Sequence, residues 1–150
     1  MSIVTWNSEQ TIEACLRSVF AQTFSDYELH VWDNASKDNT CAVIEKLNDK
    51  RVNLIRSKEN LGFCGGHNRV LASTVSEYVL LVNPDIIMQP DYAEKALQTI
   101  SEKRNIGTVC GLLVQSSDKD AIIDSAGLMK LSSGIMGLIN HGKRRTEVEL

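Results

Sequence analysis

What the 150-residue sequence lacks narrows its class before any motif is read. No apolar run approaches the roughly 20 residues that span a bilayer; Tyr78 to Val82 is typical of the longest. The opening MSIVTWN has neither a basic n-region nor a long apolar stretch. No secretory signal is visible, and no transmembrane segment is expected. Basic excess is also missing: 16 Lys and Arg against 19 Asp and Glu give a formal net charge of −3. That argues against nucleic acid as a partner. The four cysteines, at 15, 41, 64 and 110, form no C-x-x-C pair. Structural zinc spacings are therefore absent, and free thiols in a reducing cytosol are expected. Two phosphate-binding signatures fail as well. TWNSEQT contains no G-x-G-x-x-G, and G-x-x-x-x-G-K-[ST] occurs nowhere, which excludes a dinucleotide Rossmann site and a P-loop.

What is present is ordinary for a globular chain, with 43% hydrophobic and 23% charged residues. A domain of this length buries roughly 70% of the surface its unfolded chain exposes. Short apolar runs alternate with helical periods. Strands are expected over Ser2 to Trp6, Tyr27 to Trp32, Val52 to Arg56, Tyr78 to Val82 and Ile106 to Val114. Tyr78 to Val82 is almost wholly apolar, as a central strand covered on both faces would be. Helices are expected over about Glu9 to Gln22, capped by Asn7 or Ser8, over Asn39 to Asn48, over Gly66 to Val75, and from Asp91 with Glu94 as a capping-box-like pair. The alternation implies α/β architecture, a mainly parallel sheet with helices on both faces. Residues 1–114 form this βα core of a single domain, and 115–150 an irregular extension with a short hairpin.

Ligands of open α/β sheets bind beyond the carboxyl ends of the strands. The loops there read TWNS, DNASKDNT, KENLGFCGGHN and NPD. Each alone is turn chemistry; four polar loops at one sheet edge point to a site. Asn83-Pro84-Asp85 follows a buried strand. In extended backbone Asn83 and Asp85 share a side, and an oxygen donor there suits Mg²⁺ or Mn²⁺ shared with a diphosphate. The plainer reading is a turn that ends a strand.

The series SIVTWN, SVFAQTF, VWDNASKDNT, NLGFCGGHN and YVLLVNPD resembles the nucleotide-binding half of a family 2 glycosyltransferase with the GT-A fold. The resemblance covers roughly Ser2 to Gln98, and more weakly the stretch to about His141. NPD and IDSAGLM are most similar to its rhamnosyltransferase-like branch.

The resemblance implies that Thr5, Trp6 and Asn7 lie beside the base and ribose, with Trp6 in place of the commoner Tyr. Asp33 matches the aspartate that hydrogen-bonds the base, and Asn34 stands where a second aspartate is frequent. Asn60, Gly62 and Asn68 match the NxGxxxxxN loop near the nucleotide. Asn83 to Asp85 replaces the D-x-D metal motif, so Asp85 carries most of the contact to Mg²⁺ or Mn²⁺.

The implied reaction is transfer of a sugar from a UDP-, dTDP- or GDP-linked donor to a hydroxyl of a glycan or lipid-linked acceptor, in bacterial cell-surface glycan synthesis. It would take place in the cytoplasm or at the inner face of the membrane. An inverting member needs a carboxylate base, which the family supplies from beyond the fifth strand. The nearest downstream carboxylate is Asp124, but its DSAG context resembles a different family position. The base is expected beyond Leu150, so the chain reads as a truncated enzyme that is inactive alone. The alternative is a binding module that holds a nucleotide sugar without transferring it. A sugar-1-phosphate nucleotidyltransferase ranks last, because TWNSEQT lacks its glycine-rich loop. Two further features remain. His67 reads as a loop-surface histidine or a phosphate contact, and His141, Lys143, Arg144 and Arg145 form a small basic cluster.

Overall fold

The computed structural model describes residues 1–102, 105–132 and 134–149. It resolves into two compact units, Met1–Leu97 and Gln98–Leu150.

The first unit is built on four parallel strands, β1 (Ser2–Thr5), β2 (Leu29–Asp33), β3 (Val52–Arg56) and β4 (Leu81–Val82), in the order β3-β2-β1-β4. β1 and β2 are the inner strands, and all four residues of β1 are buried. Successive side chains of a strand point to opposite faces, so each face of β1 takes its own helix layer. Ile3 packs with Ile12, Leu16 and Val19 of α1 (Ile12–Phe20) and with Ile44 of α2 (Thr40–Leu47). A Cβ built on Gly66 of α3 (Gly62–Ala72) would stand 2.9 Å from both Val4 γ-carbons and from Trp32 Cδ1. That close approach is the reason for a glycine there. Gln22 ties α1 to the start of α4 (Tyr92–Glu102): its Nε2 donates to the Ser18 and Gln89 carbonyls, and its Oε1 accepts from Ala93 N.

Three expectations need revision. α3 begins at Gly62 rather than Gly66. Asn60 Oδ1 accepts from Gly62 N and Asn34 Oδ1 from Leu61 N, so side chains fix the first turn that glycine composition alone would leave as loop. β4 is two residues long and pairs only with β1 among the described strands, and Tyr78, Val79 and Leu81 are exposed. The apolar run is therefore not covered on both faces. α1 starts at Ile12; the Ser8 carbonyl accepts from its first amides, while neither Asn7 nor Ser8 caps it with a side chain. Glu94 accepts a hydrogen bond from Thr23 Oγ1, which joins α4 to the segment after α1.

In the second unit the expected fifth strand shrinks to β5 (Leu113–Val114), which runs antiparallel to β6 (Ile123–Ser125) in its own sheet. The expected hairpin forms from β7 (Leu128–Lys130) and β8 (Met136–Leu138). No helix among the described residues is long and apolar enough to cross a membrane.

Candidate functional site

Because β1, β2 and β4 run parallel, their following loops meet at one edge of the sheet. Thr5 and Asp33 are register partners at that edge, both buried. Thr5 Oγ1 donates to Asp33 Oδ1 at 3.0 Å, and Ser36 donates to the same carboxylate through its hydroxyl and its amide.

The loop after β1 is laced to the loop after β2. Asn7 N donates to Ser36 Oγ, and Asn7 Oδ1 accepts from Lys37 N. Ser8 N donates to Thr40 Oγ1, Glu9 N to Asp38 Oδ2, and Glu9 Oε2 accepts from Asn39 N. Asn7 and Ala35 hold left-handed φ values of 51° and 59°; Asn tolerates that region, while Ala adopts it at a cost. Burial would raise the Asp38 carboxyl, but hydrogen bonds from Thr40 and from Glu9 N outweigh it and hold it below its ordinary value.

A cleft of about 300 Å³ opens beside these loops, lined by Val4, Thr5, Trp6, Ser8, Asn34, Asn60, Gly62, Phe63 and Pro84. Trp6 and Phe63 are 57% and 53% exposed, so two aromatic surfaces are open to a ligand with a flat face. A second hollow of about 300 Å³ lies at the amino ends of β2 and β3, against Tyr27, His30 and Arg51. There Arg51 is already held by Asp49 and the Tyr27 hydroxyl. The carboxyl-end rule selects the first cleft.

Of the residues singled out in the sequence, Thr5, Trp6, Asn34, Asn60 and Gly62 line the cleft directly. Asn34 is a tie as much as a lining: its Oδ1 accepts from Trp32 Nε1 and Leu61 N, and its Nδ2 donates to the Gly62 carbonyl. Asp33 is not among the lining residues but sits beside Thr5 on the neighbouring strand, and Asn7 is engaged in the lacing. Asn68 is exposed on α3 and is not among the lining residues. Asn83-Pro84-Asp85 is a turn closed by Ile86 N on the Asn83 carbonyl at 3.3 Å, not the extended segment the same-side argument assumed. Cys15 Sγ donates to that same carbonyl. Burial first, with the charge of Asp85 added, pushes the Cys15 thiol up to about 12. Asp124 lies in the second unit, exposed, its carbonyl 2.7 Å from His141 Nδ1. Phe63 went unremarked; an aromatic three residues after Asn60, inside a glycine-rich run, was the available signal.

The donor set fits a hard divalent ion only as a shared site. Among the described residues no three His, Cys, Asp or Glu side chains cluster as a metal cage. A lone carboxylate such as Asp85 is oxygen chemistry that Mg²⁺ or Mn²⁺ accepts when a diphosphate supplies further ligands.

His67 is neither a surface histidine nor a phosphate contact. It is buried in α3, its Nδ1 lies 2.8 Å from Ser2 Oγ, and its Nε2 has no hydrogen-bond partner among the described residues. Burial lowers its pKa from the model-compound value of 6.5. The unfolded chain therefore binds this proton more readily. The contribution of neutral His67 is fully present above about pH 6.5 and is lost as pH falls through the folded-state value. The urea midpoint of the wild type should fall as pH drops below about 6.5, and His67→Gln should flatten that dependence. Equal slopes for the two proteins would remove His67 as the cause.

A parallel sheet with helices on both faces, and a polar, aromatic-rimmed cleft at its carboxyl edge, define an open α/β domain of the kind that binds ligands at that edge. The family model described as Glycosyl transferase family 2 matches residues 2–141, and the chain belongs to that family. It is 32% identical over 111 residues to an uncharacterised glycosyltransferase of Haemophilus influenzae, covering 73% of this chain and 34% of that one. Over 107 residues it is 29% identical to UDP-Glc:alpha-D-GlcNAc-diphosphoundecaprenol beta-1,3-glucosyltransferase WfgD of Escherichia coli, covering 71% and 42%. The chain thus spans between a third and a half of the length of these relatives. S. aureus TarS, solved in complex with UDP, superposes with a TM-score of 0.61 at 26% identity, over 77% of this chain and 39% of that one. A mannosyltransferase from Pyrobaculum calidifontis, solved with GDP-Man and Mn2+, has the same fold, with a TM-score of 0.66 at 21% identity over 71% of this chain and 32% of that one.

Proposed function

We propose that the first unit binds the nucleoside diphosphate of a nucleotide-sugar donor, as the donor half of a glycosyltransferase that passes the sugar to a glycan or lipid-linked acceptor. The observation that carries this reading is the cleft at the carboxyl edge, with Trp6 and Phe63 on its rim and Asp33 hydrogen-bonded to the lining residue Thr5. Kinship with WfgD and with TarS, whose structure holds UDP, supports it. Trp6 or Phe63 packs on the base, Asp33 and Thr5 fix the base edge, and Asn60 and the Gly62 amide region border the ribose and phosphates. Asp85, assisted by Asn83, holds the divalent ion. When bound, that ion supplies positive charge against the diphosphate leaving group.

The base that deprotonates the acceptor comes from beyond the fifth strand, with Asp124 as the candidate within this chain. The IDSAGLM segment favours a rhamnosyltransferase-like member of the family, acting in bacterial surface-glycan synthesis at the cytoplasmic side of the membrane.

Titration calorimetry tests the reading. UDP, dTDP or GDP should bind saturably, and Mn²⁺ or Mg²⁺ should tighten binding roughly tenfold or more over EDTA, because an ion held by Asp85 would supply positive charge to the phosphates. Binding that ignores the metal removes Asp85 from that role. No binding of any of the three overturns the donor site.

A further inference from the structure

The second unit carries a feature that nucleotide binding does not use. β7 and β8 form a two-stranded sheet of their own, with Leu128 opposite Leu138, Met129 opposite Gly137 and Lys130 opposite Met136. The ladder continues at both ends through Ala126 N on the Ile139 carbonyl and Leu131 N on the Ile135 carbonyl. Alternation puts Leu128, Met136 and Leu138 on one face and Met129, Leu131 and Ile135 on the other. All six are exposed, between 43% and 66%. An antiparallel pair in water normally shows one apolar face and one polar face. An isolated hairpin bare on both faces has little to hold it in water.

Charge supplies the second observation. Residues 128–145 contain four of the chain's sixteen Lys and Arg, at 130, 143, 144 and 145, and none of its nineteen Asp and Glu. Arg144 pairs with Asp120 from outside that stretch. Lys130, Lys143 and Arg145 form no ion pair among the described residues. This local excess is positive in a chain that is negative as a whole.

We propose that the β7–β8 hairpin is a membrane-surface anchor, lying in the headgroup boundary of a bilayer rich in anionic phospholipid. A folded protein partner would cover one face of a hairpin. A fluid apolar boundary encloses both faces at once, and a shallow seat leaves the outer strand edges hydrogen-bonded to interfacial water. The unpaired cations meet the phosphates, and each strengthens attachment to such a surface. Apolar burial plus attraction to anionic lipid is the standard combination for interfacial elements. The inference rests on the second unit alone and stands whether or not the donor-binding reading holds.

Vesicle flotation of the full chain tests it, using phosphatidylcholine vesicles with and without phosphatidylglycerol. The chain should float with the anionic vesicles, less so as salt rises, and stay behind with the neutral ones. Ile135→Asp should abolish flotation. Because that change can unsettle the hairpin, the double reversal K130E/R145E provides a second readout at exposed positions. It should lower partition roughly tenfold or more, with circular dichroism unchanged. Failure of the wild type to float, or equal flotation on both vesicle types, overturns the proposal. A concentration-dependent dimer that Ile135→Asp dissolves and that vesicles do not compete assigns the hairpin to a second copy instead, which also overturns it.

Discussion

Asp33→Ala weakens binding of a nucleoside diphosphate by roughly tenfold or more, the loss expected when a charged hydrogen-bond acceptor is removed from a site. Calorimetry with the nucleotide that binds the wild type measures it. The carboxylate is buried and accepts from Thr5 Oγ1, Ser36 Oγ and Ser36 N. Truncation strands the Thr5 hydroxyl and loosens the Ser36 turn, at about 1–3 kcal/mol of stability. The domain stays folded at that cost. Asp33→Asn separates the two roles: it keeps the shape and much of the Ser36 turn but removes the charge. If Asp33 touches the ligand, both variants lose affinity. If Asn restores affinity fully, the carboxylate acts only through the loops, and unchanged affinity in both variants removes it from the site.

Gly66→Val has the largest expected effect on the fold. A Cβ alone meets three heavy atoms at 2.9 Å, two on Val4 of β1 and one on the Trp32 indole of β2. These atoms belong to the sheet and its packed side chains, so the helix must lift or the side chains must leave their rotamers. Overpacking of this kind costs about 1–3 kcal/mol, and the added branches of valine place the variant at the top of that range. The same displacement carries away the first turn of α3, where Asn34 holds the Gly62 carbonyl, so the cleft opens as the domain weakens. Urea denaturation of Gly66→Val should show a clearly lower midpoint. Gly107→Ala is the matched control, because its added Cβ meets nothing within 4 Å. Equal midpoints for the two would remove close helix–sheet approach as the function of Gly66.

Much of this was legible in the residues, and the misses have identifiable causes. The βα rhythm followed from periodicity: Ile12, Cys15, Leu16 and Val19 make one buried stripe, and Leu29 and Val31 alternate on β2. α2 runs over Thr40–Leu47, within the bounds Asn39 to Asn48 that the pattern gave. The start of α3 was hidden because its first turn depends on Asn34, a residue 28 positions upstream of Gly62. His67 looked like loop surface because it stands beside a glycine-rich run, while its partner is Ser2 across the fold. Local pattern cannot see a partner of that kind. β4 misled in the opposite direction, since apolar composition records what a strand is suited to meet and not what covers it.

The lacing of the first two loops has a consequence for how such a domain can vary. Surface loops normally absorb insertions and deletions with little penalty. Here the ties from Asn7, Ser8 and Glu9 reach partners 29 to 32 positions away, several of them backbone amides. One extra residue in either loop shifts every later tie out of step with its partner. The two loops are therefore bound to a common length, and lineages of this domain should gain or lose residues elsewhere.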